Sequence, residues 1–221
     1  MTDNNVVENS DENGHGGSVA RAATDIRELI LRRSLLPGEQ VRQEDLAKRI
    51  GTSRSPIREA LQVLAVEGIV RYERNRGYFV TRFSASEMQQ LYRIRDLLES
   101  EILARLPAVP PETLDKLRSI NERIHASGDD SYVVIQLNRE FHDLVIEGSP
   151  LNLLKNELQH VGRMTLAYQS LSVNSLTDWE LLVSDHARII SALEAHDNAL
   201  LVEVSRSHRE TSLNRLAPIL G

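Results

Sequence analysis

Apolar residues recur at helical spacing along most of the chain, and the clearest stripe lies in residues 53–64. Four apolar side chains there take positions i, i+3, i+4 and i+7 of a helix: Ile57, Ala60, Leu61 and Leu64. Gly68 follows the stripe, and glycine readily adopts the left-handed conformation that ends many helices. The pattern predicts an amphipathic helix that buries one face.

A shorter helical pattern precedes this helix, and a β pattern follows it. Residues 44–51 form the shorter pattern, and only the turn at residues 51–53 separates the two helices. Residues 69–73 and 78–81 are rich in β-forming side chains, and they flank a Gly-containing tip at residues 74–77. Two helices joined by a tight turn and followed by a hairpin predict a winged helix-turn-helix.

The remaining sequence divides into a polar tail and a long helical region. Residues 1–18 are rich in Asn, Asp, Glu and Gly, and we expect them to be disordered. Helical patterns after the hairpin cover residues 86–106, 111–127, 130–147, 151–173, 178–196 and 198–216. We therefore predict a mainly α protein, with a winged helix-turn-helix over residues 19–82, a linker at 83–86, and an all-α antiparallel bundle of six to seven helices over 87–221.

The formal net charge of −6 is unevenly distributed along the chain. Residues 20–82 carry 13 Arg and Lys against 8 Asp and Glu, a net charge of +5, whereas residues 1–19 and 83–221 carry −4 and −7. Arg54 and Arg58 lie four residues apart at the start of the predicted helix, so they project together. Two guanidinium groups there suit a DNA major groove, although solvated arginines are also common on helix surfaces. The charge distribution favours a nucleic-acid partner for the basic segment only.

The composition excludes several classes of function. The 221-residue chain has no Cys, which removes disulfides, thiolate metal sites and Cys nucleophiles. No apolar run reaches the length needed to cross a membrane, and the first residues lack the apolar core of a signal peptide. We expect a soluble cytoplasmic protein.

The N-terminal segment resembles a known family. The matching residues are Leu36-Pro37-Gly38, Leu46-Ala47, the run from Ser53 to Leu61, Leu64, Glu67-Gly68 and Arg76-Gly77. They resemble the DNA-binding domain of the bacterial GntR transcription regulators, over roughly residues 20–82. The resemblance implies a transcription regulator, usually a repressor. Because one recognition helix covers only a half-site, we also expect a homodimer that binds a short palindromic double-stranded DNA operator. It implies that the DNA-reading residues are Ser53, Arg54, Ser55, Arg58, Arg76 and Gly77. Some members carry a further DNA-contacting Arg where this chain has Glu44, so that contact is not expected here.

The helical region resembles the FCD effector domain of the FadR subgroup of the same family. The matching residues, in order, are Leu91-Tyr92-Arg93-Ile94-Arg95, Leu98-Glu99, Phe141-His142, Asp185-His186-Ala187, Ala192-Leu193 and His208. In metal-binding members, four positions hold Asp or Asn and three His; here they are Asn138, His142, His186 and His208. The resemblance implies one divalent metal ion per chain, most readily Zn, with Ni or Mn as alternatives. Because the first ligand is Asn, the site is neutral before a metal binds.

The residues themselves leave two interpretations of these histidines open. Asn138 and His142 lie on one face of a predicted helix, and His186 and His208 lie on two later helices. Imidazoles from three helices can converge in a bundle cavity, where they suit a divalent ion of intermediate softness. Buried histidines in bundles are, however, often satisfied by hydrogen bonds without any metal.

Arg95 and Arg163 are candidates for binding an anionic effector. By resemblance, Arg95 is the FCD arginine that points into the effector cavity, and a guanidinium suits a carboxylate. The alternative for Arg95 is an ion pair with Glu99, which lies at i+4 on the same helix. Arg163, on a later helix, is a second candidate for the same cavity.

Three functions are compatible with these features. The first is a DNA-binding transcription regulator, of the repressor kind, whose operator affinity is controlled by a small carboxylate at a metal-containing cavity. The second is a regulator for which the metal itself is the signal. The third is a metal-dependent helical-bundle enzyme, but the chain lacks the His-Glu-x-x-His motif of metalloproteases, and a winged helix has no evident use in such an enzyme.

Overall fold

The computed structural model describes residues 10–127, 130–172 and 176–220. Within these ranges the helices are α1 (Ser10–Leu31), α2 (Gln43–Ile50), α3 (Arg54–Val66), α4 (Ala85–Ala104), α5 (Pro111–Ala126), α6 (Ser131–Ile146), α7 (Asn152–Met164), α8 (Leu166–Gln169), α9 (Leu176–Glu194) and α10 (Asn198–Leu220). The strands are β1 (Gln40–Val41), β2 (Val70–Glu73) and β3 (Gly77–Val80). The predicted architecture, a winged helix-turn-helix followed by a helical bundle, is confirmed.

The winged helix domain is built on the apolar stripe of α3. Ile57, Leu61 and Leu64 are fully buried, and α3 packs against α1 and α2. Gly51 ends α2 in a left-handed conformation with φ 76°, so that the chain can turn directly into α3. The three strands form an antiparallel sheet in the order β1-β3-β2, and β2 and β3 make the predicted hairpin.

The structure differs from the sequence prediction at the start of the chain and in the sheet. The first helix begins at Ser10 rather than near residue 19, while residues 1–9 of the predicted tail lie outside the described residues. Residues 11–17 contain no apolar side chain, so hydrophobic periodicity cannot report a helix there. Strand β1 was not predicted, because two residues are too few to show an alternating pattern.

The predicted helix over residues 151–173 is broken into α7 and α8 at Thr165. The Thr165 side chain is fully buried, and its hydroxyl donates to the carbonyl oxygens of Val161 and Gly162 at 3.3 and 3.2 Å. A hydroxyl that bonds back to the preceding turn competes with the helical ladder and often bends it. The break gives the bundle its seventh helix among the described residues, α8, which is only four residues long.

The helical domain has its own apolar core and a defined beginning. Helix α5 packs between α6 and α9, and α4 packs between α7 and α10. Phe141 of α6 is fully buried at the centre of this core. The segment predicted as a linker at residues 83–86 is already helical from Ala85, because Ser84 and Glu87 form a capping box at the start of α4.

The hydrophobic core of the winged helix domain continues into part of the bundle, beside the bundle's own core. Buried residues of the winged helix domain form a cluster with these residues of the bundle: Met88, Tyr92, Ile135, Leu166, Ala167, Tyr168 and Leu216. Gly68, which follows α3, has φ 74°, and a Cβ there would lie only 2.8 Å from Cγ of Met164 on α7. Glycine is therefore required at this position both by the backbone conformation and by the close contact between the domains.

Among the described residues, no helix is both long enough and apolar enough to cross a membrane.

Candidate functional site

Three histidines from three helices meet inside the bundle. His142 comes from α6, His186 from α9 and His208 from α10, and their ligand atoms all lie within 4.8 Å of one another. The Nε2 atoms of His142 and His208 are 3.3 Å apart. The structure thus brings together the three histidines that the sequence singled out.

Neighbouring side chains fix the orientation of two of these imidazoles. The ring of Phe141 stacks on His186 with a centroid separation of 3.8 Å and an interplanar angle of 3°. Asp185, next to His186 on α9, lies with Oδ2 3.1 Å from Nδ1 of His208. Because a carboxylate accepts only, this contact places the His208 proton on Nδ1 and leaves the Nε2 lone pair directed at the cluster.

The electrostatics of the cluster favour neutral imidazoles. Burial lowers the pKa of His142 and of His186 well below the ordinary value, and the neighbouring His208 lowers it further. A neutral imidazole is the form that binds a metal, since its free ring nitrogen keeps the lone pair. His142 and His186 are therefore in a metal-binding protonation state at neutral pH.

The unpaired polar atoms of the site test whether a metal fits there. Both ring nitrogens of His186 and Oδ1 of Asn138 are buried, and none of the three has a hydrogen-bond partner among the described residues. Buried polar atoms in proteins are nearly always paired, so unpaired buried donors and acceptors at this site are compatible with a bound ion. Three imidazole nitrogens and one amide oxygen are ligands that a divalent ion such as zinc accepts. The donor set fits the implied metal.

A cavity of about 110 Å³ adjoins the cluster. Asn138, His142 and His208 line it, together with Arg95 of α4 and Arg209 of α10, whereas His186 is not among the lining residues. Arg95 Nε is buried without a hydrogen-bond partner among the described residues, and its guanidinium lies 5.4 Å from the centroid of the Tyr92 ring.

The ion pair that was the alternative role for Arg95 is not formed among the described residues. Glu99 pairs instead with Arg209, at 2.9 Å, and Arg209 also pairs with Asp96 at 2.7 Å. Asp96 and Glu99 of α4 are thus both paired with Arg209 of α10. Arg95 remains at the cavity wall as a cation that pairs with no carboxylate in the described part of the chain.

The second effector candidate lies elsewhere. Arg163 is in the last turn of α7, and its buried Nε has no hydrogen-bond partner within the described ranges, but it is not among the residues that line the cavity. Three arginines that the sequence did not indicate do line it, and all three are engaged: Arg209 with Asp96 at 2.7 Å, Arg215 with Asp178 at 2.9 Å and Arg139 with Asp143 at 3.8 Å. The sequence contained only one indication of these arginines, which is that each lies on the same helix as a residue that the sequence did single out.

The six residues implied as DNA-reading lie at two places on the winged helix domain. Ser53, Arg54, Ser55 and Arg58 are exposed at the start of α3, and Arg76 is exposed at the wing tip, with Gly77 half-buried beside it.

Two acidic residues affect this surface. The Arg76 guanidinium pairs with Glu73 and lies 4.9 Å from the centroid of the Phe79 ring, so the wing holds it in place. Glu44 of α2 is exposed and pairs with Lys48 at 3.8 Å.

Comparisons with known proteins agree with this architecture. The family model described as bacterial regulatory proteins of the gntR family matches residues 19–80, and the FCD domain model matches residues 90–211. The HTH-type transcriptional regulator YdhC of Bacillus subtilis is 28% identical over 173 residues, which are 76% of this chain and 77% of that protein. The gluconate operon transcriptional repressor of the same species is 28% identical over 191 residues, 83% of this chain and 78% of that protein.

The solved structure of E. coli McbR/YncC has the same fold. It matches with a TM-score of 0.80 at 19% sequence identity, and the match covers 92% of this chain and 99% of that one. Since the two family models together span most of the chain, this protein belongs to the GntR family of bacterial transcription regulators, with an FCD domain following its winged helix-turn-helix.

Proposed function

We propose that this regulator is a repressor whose operator affinity is controlled by a small carboxylate bound in the cavity beside the histidine cluster. Two copies would bind a short palindrome, because one α3 helix covers only a half-site and two-fold symmetric proteins match two-fold symmetric operators. The family consists of transcription regulators rather than enzymes, so the metal-dependent enzyme is set aside.

One observation carries the proposal: Arg95 lines the cavity without a carboxylate partner among the described residues. Arg209 and Arg215 also reach the cavity, but each is already paired with acidic side chains. A buried guanidinium gains most from an anion that can accept two parallel hydrogen bonds, and a carboxylate has this geometry. The missing anion is therefore supplied by the ligand in our proposal.

Asn138, His142, His186 and His208 would hold a divalent metal at the inner end of the same cavity. Such an ion would offer a carboxylate oxygen further positive charge, which the neutral Asn138 does not offset. Arg95 binds and orients the opposite end of the anion. The small cavity of about 110 Å³ favours a compact metabolite over a long-chain one.

The experiment compares two multiple variants on an operator selected from random DNA. The first is His142→Ala/His186→Ala/His208→Ala, and the matched control is His125→Ala/His160→Ala, which changes two histidines outside the cluster. Metal content is measured by elemental analysis, and operator binding by fluorescence anisotropy at fixed salt. The titrations use metal-free protein, protein with Zn²⁺, and protein with Zn²⁺ plus individual small carboxylates. Circular dichroism checks that the variants are folded.

We expect the control to bind one Zn²⁺ per chain and to lose operator affinity only when a carboxylate is added. The triple variant should lose both properties. If the triple variant keeps stoichiometric metal, the ligand assignment is wrong. A response of the control to Zn²⁺ alone, unchanged by any carboxylate, would instead establish the metal as the signal.

A further inference from the structure

The short helix α8 lies between the cavity and the winged helix domain. Gln169 and Ser172, at the end of α8 and just beyond it, line the cavity. Ser170, between these two residues, accepts hydrogen bonds on its carbonyl oxygen from Arg33 of the winged helix domain, from Nε at 3.0 Å and also from Nη2. One stretch of four residues therefore faces both the proposed ligand and the DNA-binding domain.

Arg33 occupies an unusual backbone conformation at the end of α1. Its φ is 58°, in the left-handed region that residues other than glycine seldom adopt. The amide of Ser34 bonds to Leu29 O and that of Arg33 to Ile30 O, which closes the last turn of α1. The guanidinium then caps the carboxyl end of α8, where carbonyl groups lack helical partners. Such a conformation persists only where surrounding contacts hold it.

A second contact ties α8 to the end of the wing. The buried Tyr168 hydroxyl accepts from the backbone N–H of Phe83 at 2.8 Å and donates to its carbonyl oxygen at 3.2 Å. Phe83 directly precedes the cap of α4. Helix α8 is thus attached to the winged helix domain at two points, the end of α1 and the segment after β3.

The cavity side of α8 is held by a bond that a ligand can replace. The Gln169 side-chain amide donates to Gly162 O at 2.9 Å and to Thr165 Oγ1 at 3.3 Å, which fastens α8 to the end of α7. A ligand oxygen in the cavity would compete for this amide. Helix α8 is a single turn that follows the break at Thr165. The loss of the Gln169 hydrogen bond would therefore change the position of Ser170 relative to Arg33.

We propose that Gln169 and Ser172 contact the ligand and that α8, through the Arg33–Ser170 contact, transmits occupancy of the cavity to the winged helix domain. The proposal rests on the proposed function in taking the cavity as the ligand site. In this proposal the effect of the ligand reaches the winged helix domain through α8 and Arg33, and not along the chain segment that joins β3 to α4. The ligand must bind more tightly to one of two positions of α8, since a ligand that binds both equally would not change their populations.

The test needs neither metal nor ligand, so its outcome is independent of the proposed function. Gln169→Ala is compared with Gln159→Ala in the full-length protein. Gln159 lines the same cavity from α7, but its amide bonds to Asp143, on the side of the cavity formed by α6. Amide hydrogen exchange of residues 33–35 and affinity for the selected operator are measured for both variants. Gln169→Glu, which removes the donor while keeping the shape, replaces Gln169→Ala if the latter does not fold.

We expect Gln169→Ala to speed exchange at residues 33–35 and to change operator affinity by about threefold or more, within the range found for coupling residues. Gln159→Ala should change neither quantity. Arg33→Ala should have a similar effect on operator affinity, and the double variant should differ little from either single one, because both changes break the same connection. Equal behaviour of the two glutamine variants, or full additivity with Arg33→Ala, would overturn the proposal.

Discussion

Asp185 should set the metal affinity of the site without touching the metal. Its carboxylate lies 3.1 Å from Nδ1 of His208, so it holds the imidazole in the tautomer whose Nε2 faces the cluster. The Asp185 side chain is only 17% exposed, so solvent has limited access to replace it. Removing such a supporting carboxylate typically weakens metal binding by about 10–100-fold.

The perturbation is Asp185→Ala, and the same helix supplies its control. Asp178→Ala removes a carboxylate that is 21% exposed and pairs with Arg215 of α10, and it leaves His208 unchanged. We expect Asp185→Ala to raise the Zn²⁺ dissociation constant by about 10–100-fold, equivalent to about 1.4–2.8 kcal/mol, and Asp178→Ala to change it by less than about threefold. Asp185→Asn should lie between them, because its amide oxygen can still accept from Nδ1.

Competition with a chromogenic chelator measures the Zn²⁺ affinities. Nitrogen-15 NMR of labelled histidine reports the His208 tautomer in the metal-free protein, where Asp185→Ala should add the Nε2–H form. Asp185 does not support the site in this way if Asp185→Ala binds Zn²⁺ as tightly as Asp178→Ala, or if its His208 remains wholly in the Nδ1–H form.

Three further predictions concern DNA affinity and stability. Arg54→Ala and Arg58→Ala should each weaken operator binding by about 1–3 kcal/mol and relax the preference at one base pair. Unchanged operator affinity of both variants in anisotropy titrations would show that neither arginine contacts the DNA. Burial alone raises the pKa of Asp96, but hydrogen bonds, first of all from Arg209, outweigh it and lower the pKa below the ordinary value. The stabilisation that Asp96 contributes is therefore present above the unfolded pKa of about 3.9 and is lost as the pH falls through the folded value. Asp96→Asn should lower the free energy of unfolding in urea by about 3 kcal/mol near pH 7 and by less near pH 3. Gly68→Ala should lower the free energy of unfolding by about 1–3 kcal/mol, and an unchanged urea midpoint would contradict the contact between the domains.

Periodicity predicted the fold where a helix is long and one of its faces is buried. The stripe of Ile57, Leu61 and Leu64 determined α3 because each of these side chains enters the core. The break at Thr165 gave no such signal. The methyl group of a buried threonine fits the helical apolar pattern, while its hydroxyl, bonded to the Val161 carbonyl, disrupts the helix. Local pattern cannot show which of the two effects dominates.

The sequence indicated which histidines lie together in the candidate site, but not which side chains compete for the neighbouring carboxylates. Asn138 and His142 share a helix face by spacing alone, while the convergence of α6, α9 and α10 came from the family resemblance. For Arg95, sequence could name only the local partner Glu99. The arginine that takes Glu99 lies 110 residues further along the chain, and only the packing of α4 against α10 brings it there.

The hydrophobic core shared by the two domains limits how freely they can be recombined. A chimera that joins residues 19–82 to an unrelated helical domain would expose the winged helix surface that Leu166, Ala167 and Leu216 cover in this protein. The isolated N-terminal segment would present the same apolar surface to water, which favours self-association. Exchange of helical domains within this architecture therefore requires the covering surface to be transplanted together with the rest of the domain.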